Sequence, residues 1–157
     1  MKKTIVLLVL LSTILTSCSK NKVFEKYIKI DNNKWKRDNI ITFNVDIKDV
    51  KSNYDITLAL RHSTYYSFAN IKVNVTLTFP SGDVRTRDFN IFLRNQDGSF
   101  KGDGAGDLWD ITCPVFNQIT CPDPGTYKIE VQNIMPIMEL PDIMEVGIIV
   151  RKSENKE

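Results

Sequence analysis

The chain has 157 residues, 42% of them hydrophobic, with 21 basic residues against 19 acidic, one histidine and three cysteines. Such a composition can close one domain-sized core. A net charge this close to neutral gives no electrostatic case for nucleic acid.

Lys2 and Lys3 precede an uncharged stretch from Thr4 to Thr16 that is rich in Leu, Val and Ile. The stretch is too short for a spanning helix, which needs about 20 residues, and it has the length of the hydrophobic region of a secretory signal. It closes on Leu15-Thr16-Ser17-Cys18, two small residues that fit a narrow peptidase cleft followed by a thiol. This is the lipobox pattern of bacterial lipoproteins. Residues 1–17 are therefore expected to be a lipoprotein signal peptide, with cleavage before Cys18 and lipid attached there. At about 0.8 kcal/mol per buried methylene, one acyl chain holds marginally and two or more hold stably. The alternative is an ordinary secreted protein whose cysteine falls there by chance. Removal of Lys2 and Lys3 leaves 19 basic residues against 19 acidic ones. No aspartate stands directly after Cys18 and no acidic cluster lies behind it, and the expected address is the outer membrane, lipid-anchored and facing the periplasm, with surface exposure left open. Residues 18–23 are expected to be a lipidated tether. The lysines at 20, 22, 26 and 29 read as a solvated linker, the alternative being contact with anionic headgroups.

Residues 24–152 are expected to form one domain, and residues 153–157 a disordered tail. A two-residue hydrophobic beat runs through this body. It is heard in Phe43-Val45-Ile47, Tyr54-Ile56-Leu58-Leu60, Ile71-Val73-Val75-Leu77-Phe79, Phe89-Ile91-Leu93, Tyr127-Ile129-Val131 and Val146-Ile148-Val150. Each segment buries one face and wets the other. Turn clusters separate them at Asp49 to Asn53, Pro80 to Asp83, Asn95 to Gly98 and Asp123 to Gly125. Seven or eight short strands and no amphipathic helix predict an all-β, single-domain antiparallel β-sandwich of possible jelly-roll type.

Cys113 and Cys121 are the cysteines that remain once Cys18 carries lipid. In an oxidising compartment an even count favours a structural disulfide, with free thiols as the alternative. Zinc would need more ligands than this pair and one distant histidine provide, so no metal and no cofactor is expected. The glycine-rich stretch from Gly98 to Ile111 lacks the lysine and the strand-to-helix setting of a phosphate loop. Asp97, Asp103, Asp107 and Asp110 could offer oxygens to calcium, but their spacing fits no known calcium loop. The stretch is expected to be a solvated connection with Trp109 folded back onto a sheet. His62 should share the face of Leu58 and Leu60 as a hydrogen-bonded residue at the rim. Neighbouring Ser63 would point to the other face, so the two make no catalytic pair. No nucleophile, base and acid stand together, and the chain is not expected to be an enzyme.

The lipobox at Cys18, the run "YDITLALRHSTYYSFANIKVNV", then "GDGAGD" and the ending "GTYKIEVQNIMPIMELPDIMEVGIIVRK" resemble, in that order, the gliding-motility lipoprotein family GldH, over about Phe24 to Lys152. The sharpest part runs from Arg61 through Tyr65 to Asn70 and looks like the family's R-H-x-x-x-Y-x-x-x-N centre. Met135, Leu140, Ile143, Val146 and Gly147 match the family's spacing before the last strand. The resemblance implies a non-enzymatic, lipid-anchored accessory component of the gliding apparatus and the secretion system coupled to it. It brings no catalytic residues.

Two surfaces are candidates for function. The first is an interaction surface of Arg61, His62, Tyr65, Tyr66, Phe68 and Asn70 docking on protein partners in a membrane assembly, since aromatics beside an arginine are favoured at interface hot spots. Alternatively these rings fill the end of the sandwich. The second surface is a carbohydrate platform of Trp35, Trp109, Tyr65 and Tyr66.

Overall fold

The computed structural model describes residues 21–154. The signal peptide, Cys18, the tether as far as Lys20 and the last three residues lie outside the described residues. Eleven strands carry the chain: β1 (Lys22–Lys29), β2 (Lys34–Lys36), β3 (Ile41–Ile47), β4 (Asn53–Ser63), β5 (Asn70–Thr78), β6 (Val84–Phe92), β7 (Asp103–Ala105), β8 (Leu108–Thr120), β9 (Gly125–Asn133), β10 (Glu139–Pro141) and β11 (Ile143–Lys152). Every pairing is antiparallel.

Two sheets face each other, β1-β11-β4-β8-β7 and β3-β9-β5-β6, while β2 and β10 form a separate two-stranded ribbon. The eight long strands obey one rule. The first pairs with the last, β3 with β9, β4 with β8 and β5 with β6. A long hairpin wrapped on itself gives this order, and it is that of a jelly roll. The all-β sandwich expected from the periodicity is the fold observed.

Alternation places Ile41, Phe43, Val45 and Ile47 of β3, and Ile71, Val73, Val75 and Leu77 of β5, in the core between the sheets. Tyr54, Ile56, Leu58 and Leu60 of β4 meet them from the other sheet, with Val146, Ile148 and Val150 of β11. Each fully buried aliphatic or aromatic side chain contributes about 1.5–3 kcal/mol. β11 is buried on both faces near its middle. Tyr27 of β1 lies so close over Gly147 that a Cβ there would fall 2.4 Å from the ring. Ile149 is covered on the same outer face.

The free edges are guarded. Along β6 the inward positions opposite Val75 and Leu77 are Arg87 and Arg85, whose guanidinium groups lie over the rings of Phe116 and Phe79. Inward-pointing charge spoils an edge for pairing with another sheet. β7 covers only Leu108 to Asp110 of β8. Beyond that point β8 carries Pro114 and two irregularities against β4. At Gln118 φ is 51°, and its backbone N–H, displaced from the ladder, donates to the Asp55 carboxylate at 2.7 Å.

Four expectations change. The lysine run from 22 to 29, read as a solvated linker, is edge strand β1, paired along β11. The stretch Gly98 to Ile111, read as a solvated connection, contains the β7–β8 hairpin turning at Gly106-Asp107. Ser153, assigned to a disordered tail, donates through N–H to Asn53 O at 2.8 Å and through Oγ to Asp55 at 2.7 Å. The Cys113–Cys121 disulfide is absent, and both thiols are free. Cys113 lies within β8 and Cys121 just past its end. A strand advances about 3.3 Å per residue, which puts them up to about 26 Å apart along the chain where a disulfide needs Cα atoms within about 7 Å.

Candidate interaction surface

The two ends of the sandwich are built differently. One end holds the short links β3–β4, β5–β6 and β8–β9, together with both ends of the described chain. The opposite end gathers the long links, residues 30–40, 64–69, 93–107 and 134–142, which contain β2, β7 and β10. All six residues of the predicted interaction surface lie at this long-loop end, around the crossing from β4 to β5.

They do not form one exposed patch. His62 points into the core with no exposure, opposite Trp109 on β8. Its Nδ1 donates to the Ser63 carbonyl at 3.0 Å, which leaves the Nε2 lone pair buried. Neither Nε2 nor the indole N–H of Trp109 has a hydrogen-bond partner among the described residues. Burial holds the His62 pKa below its ordinary value, against the opposing pull of the Ser63 carbonyl, and the ring is neutral. The expectation of a residue at the rim is corrected to a core residue, because the loops from 93 to 107 fold over the end of β4.

Around His62 stands an aromatic stack. Phe100 packs on His62 at 5.5 Å and on Trp109 at 5.0 Å, nearly parallel to the indole. The Arg94 guanidinium lies 3.9 Å from the Phe100 centroid, while its Nη2 donates to the Tyr66 carbonyl at 3.3 Å. On the other side Tyr66 meets His62 at 5.8 Å and Phe68 at 5.7 Å. Tyr66 is buried, donates through its hydroxyl to Asn70 O at 3.1 Å, and has its phenol pushed well above the ordinary value by burial. His62, Tyr66 and Asn70 thus form a brace between β4 and β5. Gly104 is needed here, since a Cβ would sit 2.8 Å from the Trp109 indole.

Arg61 faces outward. Its Nε and Nη2 donate to the two carboxylate oxygens of Asp110 at 2.7 and 2.8 Å, and Nη1 reaches Glu145 at 3.3 Å. The hydrogen bonds from Arg61 hold the Asp110 carboxyl below its usual range. Arg61 therefore ties β4 to both neighbouring strands.

Tyr65 is the residue left open, 72% exposed. Its loop is nevertheless fixed. Ser63 Oγ donates to Asp142 at 3.0 Å and accepts from Tyr65 N at 3.1 Å, Thr64 N donates to Asp107 O at 2.8 Å, and Tyr66 N donates to Ser63 O at 3.2 Å. Three long loops thus hold the base of one projecting ring. Met138, 70% exposed, stands on another loop of this end.

The carbohydrate platform is not assembled. Trp35 has no exposure and donates from its indole to Asn39 O at 2.9 Å, Tyr66 is buried, and Trp109 stacks under Phe100. Of its four rings only Tyr65 is open. Three of the four aspartates turn to separate partners: Asp97 to Ser99, Asp107 to Thr64, and Asp110 to Arg61. Among the described residues no three metal-ligating side chains converge.

Sequence reasoning missed the Arg94–Phe100–Trp109 stack. The only available signal was aromatic content in a glycine-rich run, and its partners come from β4 and the loop after β6.

Residues 22–150 match the family model described as GldH lipoprotein. The gliding motility lipoprotein GldH homolog of Christiangramia forsetii is 26% identical over 147 residues, covering 89% of this chain and 90% of that protein. Gliding motility lipoprotein GldH of Flavobacterium johnsoniae is 24% identical over 155 residues, covering 94% and 96%. Among solved structures, a chain of the T13 IBDV viral particle aligns with a TM-score of 0.40 at 14% identity, covering 89% of this chain and 34% of that one.

Proposed function

The chain belongs to the GldH lipoprotein family, and from that membership we propose that it is an outer-membrane lipoprotein, anchored through Cys18 and facing the periplasm. In this reading it acts without catalysis, as an accessory of the gliding-motility and secretion apparatus that presents its long-loop end to protein partners. Residues 1–17 serve as the signal peptide, and the jelly roll is the whole of the working domain.

The observation that carries this reading is Tyr65, an open ring on a loop already fixed by Asp107, Asp142 and Ser63. A surface whose base is ordered before contact loses little conformational freedom on binding, which favours its use as an anchor. His62, Tyr66, Phe68 and Asn70 act beneath it as the support, and Arg61 as the tie beside it.

Two measurements test the proposal. Labelled palmitate should enter the wild-type chain and fail to enter Cys18→Ser, which should leave the membrane fraction. A photo-crosslinking amino acid at position 65, in the membranes of the source cells, should yield a discrete protein adduct that the same probe at Val84 does not. Equal labelling at the two positions would remove the long-loop end as the docking surface.

A further inference from the structure

Among the described residues eight large apolar side chains are exposed, and four of them, Ile40, Tyr65, Phe92 and Met138, lie at the long-loop end. Val23, Val50 and Val84 are exposed at the short-turn end, at the start of β1, in the β3–β4 link and at the start of β6. They span that end from one sheet to the other. Contacts place the parts together: Lys152 N donates to Asn21 O at 2.8 Å, Lys152 Nζ meets Asp49 at 2.5 Å, and Pro80 packs against Gly125. Lys22, Lys48, Lys51 and Arg151 belong to the same end.

The chain reaches this end directly from the anchoring cysteine. Three residues, 19–21, separate Cys18 from β1. At 3.3–3.6 Å per residue, the start of β1 stands no more than about 14 Å from the Cys18 α-carbon. β1 then runs about 25 Å to the opposite end. A tether this short holds the short-turn end at the lipid surface and keeps the long loops beyond its reach.

We infer that the short-turn end is a membrane-contact face. It rests on the headgroups of the leaflet that holds the acyl chains, with Val23, Val50 and Val84 at the interface and the neighbouring lysines among the phosphates. Small apolar groups beside Lys22, Lys48, Lys51 and Arg151 suit such a boundary, although Asp49, Asp83 and Asp123 share this end, so the short tether rather than net charge carries the orientation. Tyr65 and Met138 then project away from the membrane. The inference rests on the lipid-anchor reading and adds an orientation to it.

The test uses the native lipidated protein, reconstituted into vesicles of phosphatidylethanolamine and phosphatidylglycerol, after mass spectrometry of the acylated N-terminus. Single cysteines replace Val50, Val84, Thr57, Tyr65 or Met138 in a Cys113→Ser, Cys121→Ala background, and each carries an environment-sensitive fluorophore. Labels at 50 and 84 should shift to the blue on reconstitution and be quenched by headgroup-region spin-labelled lipid. Labels at 57, 65 and 138 should do neither. A shift at Thr57, on the outer sheet face, would mean that the molecule lies on its side, and no shift at any position would mean that it stands clear of the lipid; either result overturns the inference while leaving the anchor intact. A mass without acyl chains would overturn the anchor itself.

Discussion

The short-turn end and the long-loop end solve the same problem, closing a sandwich, by different means. At the short-turn end the connections satisfy themselves locally. Asp49 accepts from Lys51 N and Ser52 Oγ, and Gly82 N returns to Phe79 O within its turn. Two core tyrosines reinforce the neighbouring links, Tyr54 donating to Asp49 O at 2.6 Å and Tyr127 to Asp123 O at 2.9 Å. At the long-loop end, partners lie far apart in sequence. Trp35 is covered by Leu140, its carbonyl accepts from buried Asn133 at 3.2 Å, and Asn133 Oδ1 accepts from Met135 N. One end is a set of turns that each close locally and are tied together mainly by Lys152 and Ser153, near the end of the described chain, and the other is a single packed unit that must form together.

The sharpest way to break this contrast is Trp35→Ala. Emptying a fully buried indole site should cost about 3–5 kcal/mol in urea unfolding, since the loops around it depend on one another. A loss below about 1 kcal/mol would show that the long loops fold piecemeal. Next comes pH. His62 is neutral in the folded chain with its pKa below the unfolded value of about 6.5, so the unfolded chain takes up the proton first. Stability is complete above about pH 6.5 and should fall by up to about 1.4 kcal/mol per pH unit between that value and the folded pKa, a slope that His62→Phe should abolish. At the other end, Tyr54→Phe deletes one hydrogen bond and should cost about 0.5–1.5 kcal/mol, with near-native hydrogen exchange at the long loops. Smallest is Tyr65→Ala, which should leave stability within about 0.5 kcal/mol while removing the proposed crosslinks.

The same contrast explains what could be read from sequence. β3, β4, β5, β9 and β11 declare themselves because each buries one face in strict alternation, and the turn clusters at Pro80 and Asp123 do so because Gly, Pro and Asp act locally. β8 stays hidden because Pro114 and the bulges around Phe116 and Gln118 break its period. β1 hides for a different reason: an edge strand full of lysine looks like a linker until Gly147 is seen to accept the Tyr27 ring. In the candidate site, the segment from Arg61 to Asn70 could be picked out, but not the division of labour within it. Only contacts from Asp107, Asp142, Phe100 and Arg94 decide that Tyr66 goes in and Tyr65 goes out.

Arg85 and Arg87, turned inward along β6, bear on how crowded such molecules can become. Tethered to a leaflet, copies of this chain would meet edge to edge far more often than in free solution, since they diffuse in a plane and share an orientation. Guanidinium groups seated over Phe79 and Phe116 would each have to be stripped from their rings before a neighbour's strand could zip on. The population can then be dense and still consist of separate molecules, each keeping its own border.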